Sequence, residues 1–102
     1  MPVYLHISWD NPKDEKRYRD YAKISSEMTD WSVKKQEEGI FKSVGITDNT
    51  GHIISLYEFE DMDALSKIWM NPEYRAMMMK LNPVVDNCKI RLCRPVVPIT
   101  ED

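Results

Sequence analysis

The feature that most constrains this chain is the order in which two hydrophobic periods follow one another. A period of two marks a strand, whose successive side chains point to opposite faces. A period near 3.6 marks a helix with one apolar stripe. In VYLHISW (3–9), Val3, Leu5 and Ile7 alternate with Tyr4, His6 and Ser8, which reads as a strand. Over residues 12–38, Tyr18, Tyr21, Ile24, Met28 and Trp31 recur at spacings of three and four, which reads as a helix. Period two returns in IFKSVGIT (40–47) and HIISLYEF (52–59). These form a hairpin around DNTG (48–51), a turn in which Gly51 suits a positive φ. A helical stripe of Leu65, Ile68, Trp69 and Pro72 follows, and NCKIRLCR (87–94) ends the pattern as a strand.

Local signals refine these boundaries. Asp10-Asn11-Pro12 offers a capping side chain and a proline at the first helical position, and Gly39 ends that helix. A helix over 12–38 spans about 40 Å, whereas a strand of that sheet spans about 23 Å. A straight helix would overhang, and Thr29-Asp30 can cap a new segment at Trp31. A kink is therefore expected near 25–30. Asp61 caps the second helix, and the fresh start at Asn71-Pro72-Glu73 divides it into 61–70 and 72–81. The resulting βαββαβ order predicts a single ferredoxin-like α+β domain over 1–95: a four-stranded antiparallel sheet with both helices on one face. The prolines of RPVVPITED predict an extended tail over 96–102.

Composition excludes several roles. The net charge is −3 and no lysine or arginine run occurs, which argues against a nucleic-acid partner. An RNA-recognition domain shares the strand order, but GHIISLYEF lacks its basic and aromatic signature. No apolar run approaches the ~20 residues that cross a bilayer, and the charged N-terminal stretch has no signal-peptide layout, so a cytoplasmic protein is expected. Cys88 and Cys93 sit on opposite faces of one strand and are expected to stay reduced. Metal spacings and a glycine-rich phosphate loop are absent.

Two helices cover one sheet face, yet the strands are apolar or aromatic on both. In 52–59 one parity holds Ile53, Ser55, Tyr57 and Phe59 and the other His52, Ile54, Leu56 and Glu58. Leaving either in water exposes an apolar patch unusual for a monomer. A second copy in a symmetric homodimer is therefore expected over the open face. The hairpin register stays open at this point. Pairing Thr47 with His52 puts Lys42, Val44 and Ile46 beside Tyr57, and a loop one residue different puts them beside Glu58.

At residues 56–78, LYEFEDMDALSKIWMNPEYRAMM, the chain resembles the antibiotic-biosynthesis-monooxygenase-type domains of the dimeric α/β-barrel superfamily. The likeness lies in an aromatic–acid–aromatic strand end, a short helix with a tryptophan, and a Pro/Glu/aromatic restart. It implies two ferredoxin-like subunits paired into a barrel, with a ligand held between sheet and helices of one subunit and Trp69 lining it. The superfamily includes cofactor-independent monooxygenases, polyketide cyclases and haem-degrading enzymes. The haem branch places a histidine about ten residues after the tryptophan, where this chain has Met79. No cofactor is expected.

The candidate site residues follow from the strand faces. His6, flanked by Tyr4 and Ser8 on one face, is the candidate general base. Arg91 is a candidate for stabilising an enolate or carboxylate oxygen. Tyr57 and Glu58 are alternatives for proton transfer, since only one can share the face of His6. Trp69 is the candidate pocket wall. Two functions remain open. One is a cofactor-independent monooxygenase or cyclase acting on a hydrophobic or aromatic molecule. The other is a non-catalytic ligand-binding or accessory dimer.

Overall fold

In the computed structural model, which describes residues 2–96, four strands form one antiparallel sheet. They are β1 (Val3–Asp10), β2 (Lys42–Thr47), β3 (His52–Phe59) and β4 (Asp86–Cys93), in the order β2-β3-β1-β4. The helices α1 (Glu15–Glu37), α2 (Met62–Trp69) and α3 (Pro72–Leu81) build the second layer. The ferredoxin-like arrangement expected from the sequence is present. The expected tail falls almost entirely outside the described residues.

The core lies between these layers. Val3, Leu5, Ile7 and Trp9 of β1 are buried, and so are Tyr57 and Phe59 of β3. They meet Tyr21, Met28 and Trp31 of α1, Leu65 and Ile68 of α2, and Tyr74, Met77 and Leu81 of α3. Aromatic rings knit the middle. Phe41, between α1 and β2, meets Tyr57 edge-on at 5.0 Å and Phe59 at 5.5 Å. Such edge-to-face pairs add to the burial of their area.

The helix boundaries differ from expectation at α1. Its cap is Asp14, not the Asp10–Pro12 stretch: the Asp14 carboxylate accepts the Arg17 N–H at 2.8 Å. The Arg17 guanidinium also reaches Asp86 at 2.9 Å, which ties the start of α1 to the start of β4. The expected kink near 25–30 is absent, and α1 runs unbroken through it. Thr29 does not cap; its hydroxyl donates to the Ser25 carbonyl at 2.9 Å, a bond available inside a helix. Met28 and Trp31 are both buried on one stripe, and a reset between them would turn one out of the core. The overhang is accommodated by an elongated molecule, 49 × 30 × 20 Å.

The division of the second helix is as expected. Asp61 accepts the Ala64 N–H at 2.9 Å, and Asn71 accepts the Glu73 N–H at 2.8 Å with Pro72 opening α3.

Candidate functional site

The hairpin register decides which side chains meet. The Asp48 N–H donates to the His52 carbonyl, so Asn49, Thr50 and Gly51 make the turn and Thr47 pairs with Ile53. Gly51 has φ +82°, which favours glycine. This is the alternative to a Thr47–His52 pairing. Lys42, Val44 and Ile46 therefore share a face with Glu58, Leu56 and Ile54. Tyr57 goes to the helix side with Leu5.

The face away from the helices brings together His6, Tyr4, Ser8, Glu58 and Arg91. Across the ladder, His6 lies between Leu56 of β3 and Arg91 of β4, and Tyr4 lies between Glu58 and Cys93. The Glu58 carboxylate holds the Tyr4 phenol above its usual range, by hydrogen bonding first, with burial and its charge adding. Ser8 is buried, and the Nδ1 atom of His6 is buried without a hydrogen-bond partner among the described residues. At one end Asp10 accepts from Asn87 and bonds His52 Nδ1, both at 2.8 Å, and these contacts lower its pKa. The β2 end is apolar: Val44 and Ile46 are 52% and 54% exposed beside half-buried Leu56 and Ile54.

Of the two alternatives left open by the sequence, Glu58 shares the face of His6 and Tyr57 does not. Tyr57 lines instead a half-open cavity of about 430 Å³ between α1 and the β2 edge of the sheet. That volume falls within the roughly 300–1,000 Å³ of drug-sized ligand sites. Trp69 does not line this cavity. It sits 41% exposed at the end of α2, with its ring 6.3 Å from that of Tyr74.

The cavity exists because small residues face small residues. Ser25, Thr29 and Ser32 lie on one side of α1, while Ser43, Gly45 and Thr47 occupy the helix-side parity of β2. None is large enough to fill the space between. A Cβ built at Gly45 meets no atom within 4 Å. Met28, Val33, Trp9 and Ile53 add apolar wall, and Gln36 braces one end by accepting the Ser43 N–H at 3.0 Å. The sequence does carry a signal for this wall: Ser25, Thr29, Ser32 and Gln36 repeat at four-three-four spacing beside the apolar stripe.

The cavity's polarity comes from neutral groups. The Tyr57 and Ser32 hydroxyls are 3.4 Å apart. Trp9 Nε1 donates to the Tyr21 hydroxyl at 3.2 Å. Among the described residues, the lining contains no Asp, Glu, Lys, Arg or His. Burial pushes the Tyr57 phenol up, partly offset by Ser32 and Ser55, so it stays protonated and able to donate at neutral pH. Burial likewise raises Tyr74 and Cys88. Among the described residues, no group of three or more His, Cys, Asp and Glu side chains could hold a metal ion.

These raised values make a prediction. A group harder to ionise in the folded state contributes stability that is complete below its unfolded pKa and is lost as pH rises through the folded one. The unfolded phenols titrate near 10. Urea unfolding free energy is therefore expected to fall between about pH 9 and about pH 11, and Tyr74→Phe should flatten that fall. A stability unchanged across this interval would contradict the burial of these groups.

Comparison with solved structures bears on the fold. A provisionally assigned antibiotic biosynthesis monooxygenase from Deinococcus radiodurans is 13% identical, with 98% of each chain covered and a TM-score of 0.73. SnoaB, a cofactor-independent oxygenase from Streptomyces nogalater, gives 11% identity, 98% of each chain and 0.73 for a single-residue variant. The chain has their fold. A dimeric ferredoxin-like protein of unknown function from Jannaschia sp. CCS1 is 12% identical over 91% of this chain and 99% of its own, at a TM-score of 0.62. No family model and no curated protein matches the sequence. The ferredoxin-like fold expected from the sequence is thus shared with these monooxygenase-type neighbours. Within it, no helix of the described residues is long and apolar enough to cross a membrane.

Proposed function

We propose that the protein binds a hydrophobic, aromatic small molecule in the cavity between α1 and the sheet and oxygenates it with dioxygen, without a bound cofactor. The cavity itself carries this reading: about 430 Å³, apolar on Met28, Val33 and Trp9, with hydroxyls at Ser32 and Tyr57. The reaction class draws support from SnoaB, a cofactor-independent oxygenase of the same fold. Such a reaction balances when an activated CH₂ becomes C=O. The substrate gives four electrons to O₂, one oxygen atom enters the product, and the other leaves as water. Tyr57 would donate to the carbonyl oxygen as charge gathers on it.

His6, Arg91, Tyr4, Ser8 and Glu58 belong, on this reading, to a homodimer interface on the open sheet face rather than to the cavity. The half-exposed Val44 and Ile46 and the unpartnered His6 Nδ1 support it, as does the dimeric neighbour from Jannaschia. The unpartnered nitrogen gains a hydrogen bond or a water when that face is covered.

Binding without turnover is the second reading, and one observation favours it. The lining offers no carboxylate or imidazole to take a proton, so the substrate itself must be acidic enough to lose one to water. Dioxygen uptake with anthrone, a fused-ring ketone with an activated methylene, separates the two. Uptake above the spontaneous rate, with one O₂ per anthrone, supports the oxygenase. Amide shifts at the cavity without uptake support the binding protein.

A further inference from the structure

We propose that the Tyr57–Ser32 hydroxyl pair sets the specificity of the cavity: it admits uncharged ligands that present a carbonyl oxygen and rejects their carboxylate or ammonium counterparts. The inference rests on the cavity being a ligand site and goes beyond it by assigning the groups that select the ligand.

Three observations carry it. First, among the described residues the lining holds no formally charged side chain. An ion seated against the buried floor at Tyr57 and Met28 would give up part of its hydration with no counter-charge in return, a cost that a neutral ligand does not meet. A neutral ketone loses only weak hydration and recovers it from a hydroxyl. Second, the Tyr57–Ser32 contact is long, at 3.4 Å. It is a weak bond, and a carbonyl oxygen between the two can accept from both. Tyr57 is only 5% exposed, so its phenol must find its partner inside the protein. Third, two of the other hydrogen-bonded polar groups keep a donor free. Gln36 Oε1 is occupied by the Ser43 N–H, which leaves its NH₂ group as a donor, and the Tyr21 oxygen already accepts from Trp9. Thr29 and Thr47 have spent their hydroxyl protons on the Ser25 and Asp48 carbonyls, so the free donors lie at Gln36, Tyr21, Tyr57 and Ser32, where an acceptor oxygen of the ligand is favoured.

Arg91 sharpens the point. From the sequence it is the candidate oxyanion partner, yet the register puts it opposite His6 on the far face of the sheet. Stabilisation of a developing oxyanion in this cavity therefore falls to neutral donors.

The test is an amide-shift NMR titration at neutral pH, followed at Ser32, Gly45 and Ser55, with naphthalene, 2-acetylnaphthalene and 2-naphthoate. The expected order is ketone over hydrocarbon over carboxylate, with naphthoate weaker than the ketone by at least roughly tenfold. Tyr57→Phe and Ser32→Ala should each weaken the ketone by roughly three- to tenfold and leave naphthalene unchanged. Naphthoate binding as tightly as the ketone overturns the proposal. So does an equal loss of ketone and naphthalene in both variants. Naphthalene binding that is lost in Gly45→Leu upholds the cavity reading whatever the order among the three probes. Absence of all three from the cavity overturns both. Ser32→Ala, at a partly exposed helix position, reports even if Tyr57→Phe perturbs the core.

Discussion

Leu56→Asp is expected to convert a dimer into a monomer without unfolding it. Leu56 lies at the middle of the open sheet face, paired with His6 on one side and Val44 on the other. No helix covers it, so a carboxylate there stays hydrated in the single chain. In a symmetric dimer the substitution appears twice and places two unpaired charges in an apolar seam. Each costs on the order of 3 kcal/mol or more, so the dissociation constant rises by several powers of ten. Light scattering after size exclusion should give twice 12.0 kDa for the native protein and 12.0 kDa for the variant. A native protein that stays a monomer at high concentration contradicts the pairing of sheets.

Gly45→Leu is expected to raise stability and abolish ligand binding together. The position is open, with nothing within 4 Å of an added Cβ, and its φ lies outside the left-handed region. Replacing glycine within a strand removes about 0.5–1 kcal/mol of entropic cost. A leucine lying along the half-open cavity gains only part of the about 1.5–3 kcal/mol of a fully buried one, so a net gain of about 1 kcal/mol is expected. The same side chain occupies the ligand's place, and affinity for naphthalene should fall by about a hundredfold or more. Urea unfolding and the amide titration measure the two halves. Stability that rises while binding is unchanged would place the ligand elsewhere. A loss of stability would mean that the cavity is not open as described.

The pairing of these effects is informative. A chain selected only for packing would fill the gap behind Gly45. Small residues on α1 and β2 leave it open, the relation between binding site and scaffold that the proposed function expects.

The fold is legible in the sequence because periodicity and punctuation agree there. The alternation in β1, the turn at Gly51, and the restart at Asn71-Pro72 each have a direct physical cause, and each appears where expected. The expected α1 kink fails because the overhang argument weighs strand length against helix length. It neglects that Met28 and Trp31 must share a stripe. The site is harder to read. Whether Tyr57 or Glu58 faces His6 depends on a single residue in the Asp48–His52 turn, and both registers satisfy the hydrophobic pattern of a strand apolar on both sides. His6 draws attention as the conspicuous titratable group, yet the cavity forms where side chains are small and neutral. Ser25, Thr29 and Ser32 share a helical stripe with Gln36, but a polar stripe is ordinary on a helix surface. Only their opposition to Ser43, Gly45 and Thr47 makes a space, and that opposition is a tertiary fact. Resemblance puts Trp69 at the pocket, and here it packs on Tyr74 at the end of α2.

The central claim is that the ligand site lies between α1 and the sheet, on the side of Tyr57. A crystal structure of the protein soaked with 2-acetylnaphthalene tests it most directly. The account predicts density for the ring between Met28 and Gly45, with the carbonyl oxygen within hydrogen-bond distance of the Tyr57 or Ser32 hydroxyl. Density against His6 and Arg91 on the opposite face, with the α1 cavity empty, would contradict it.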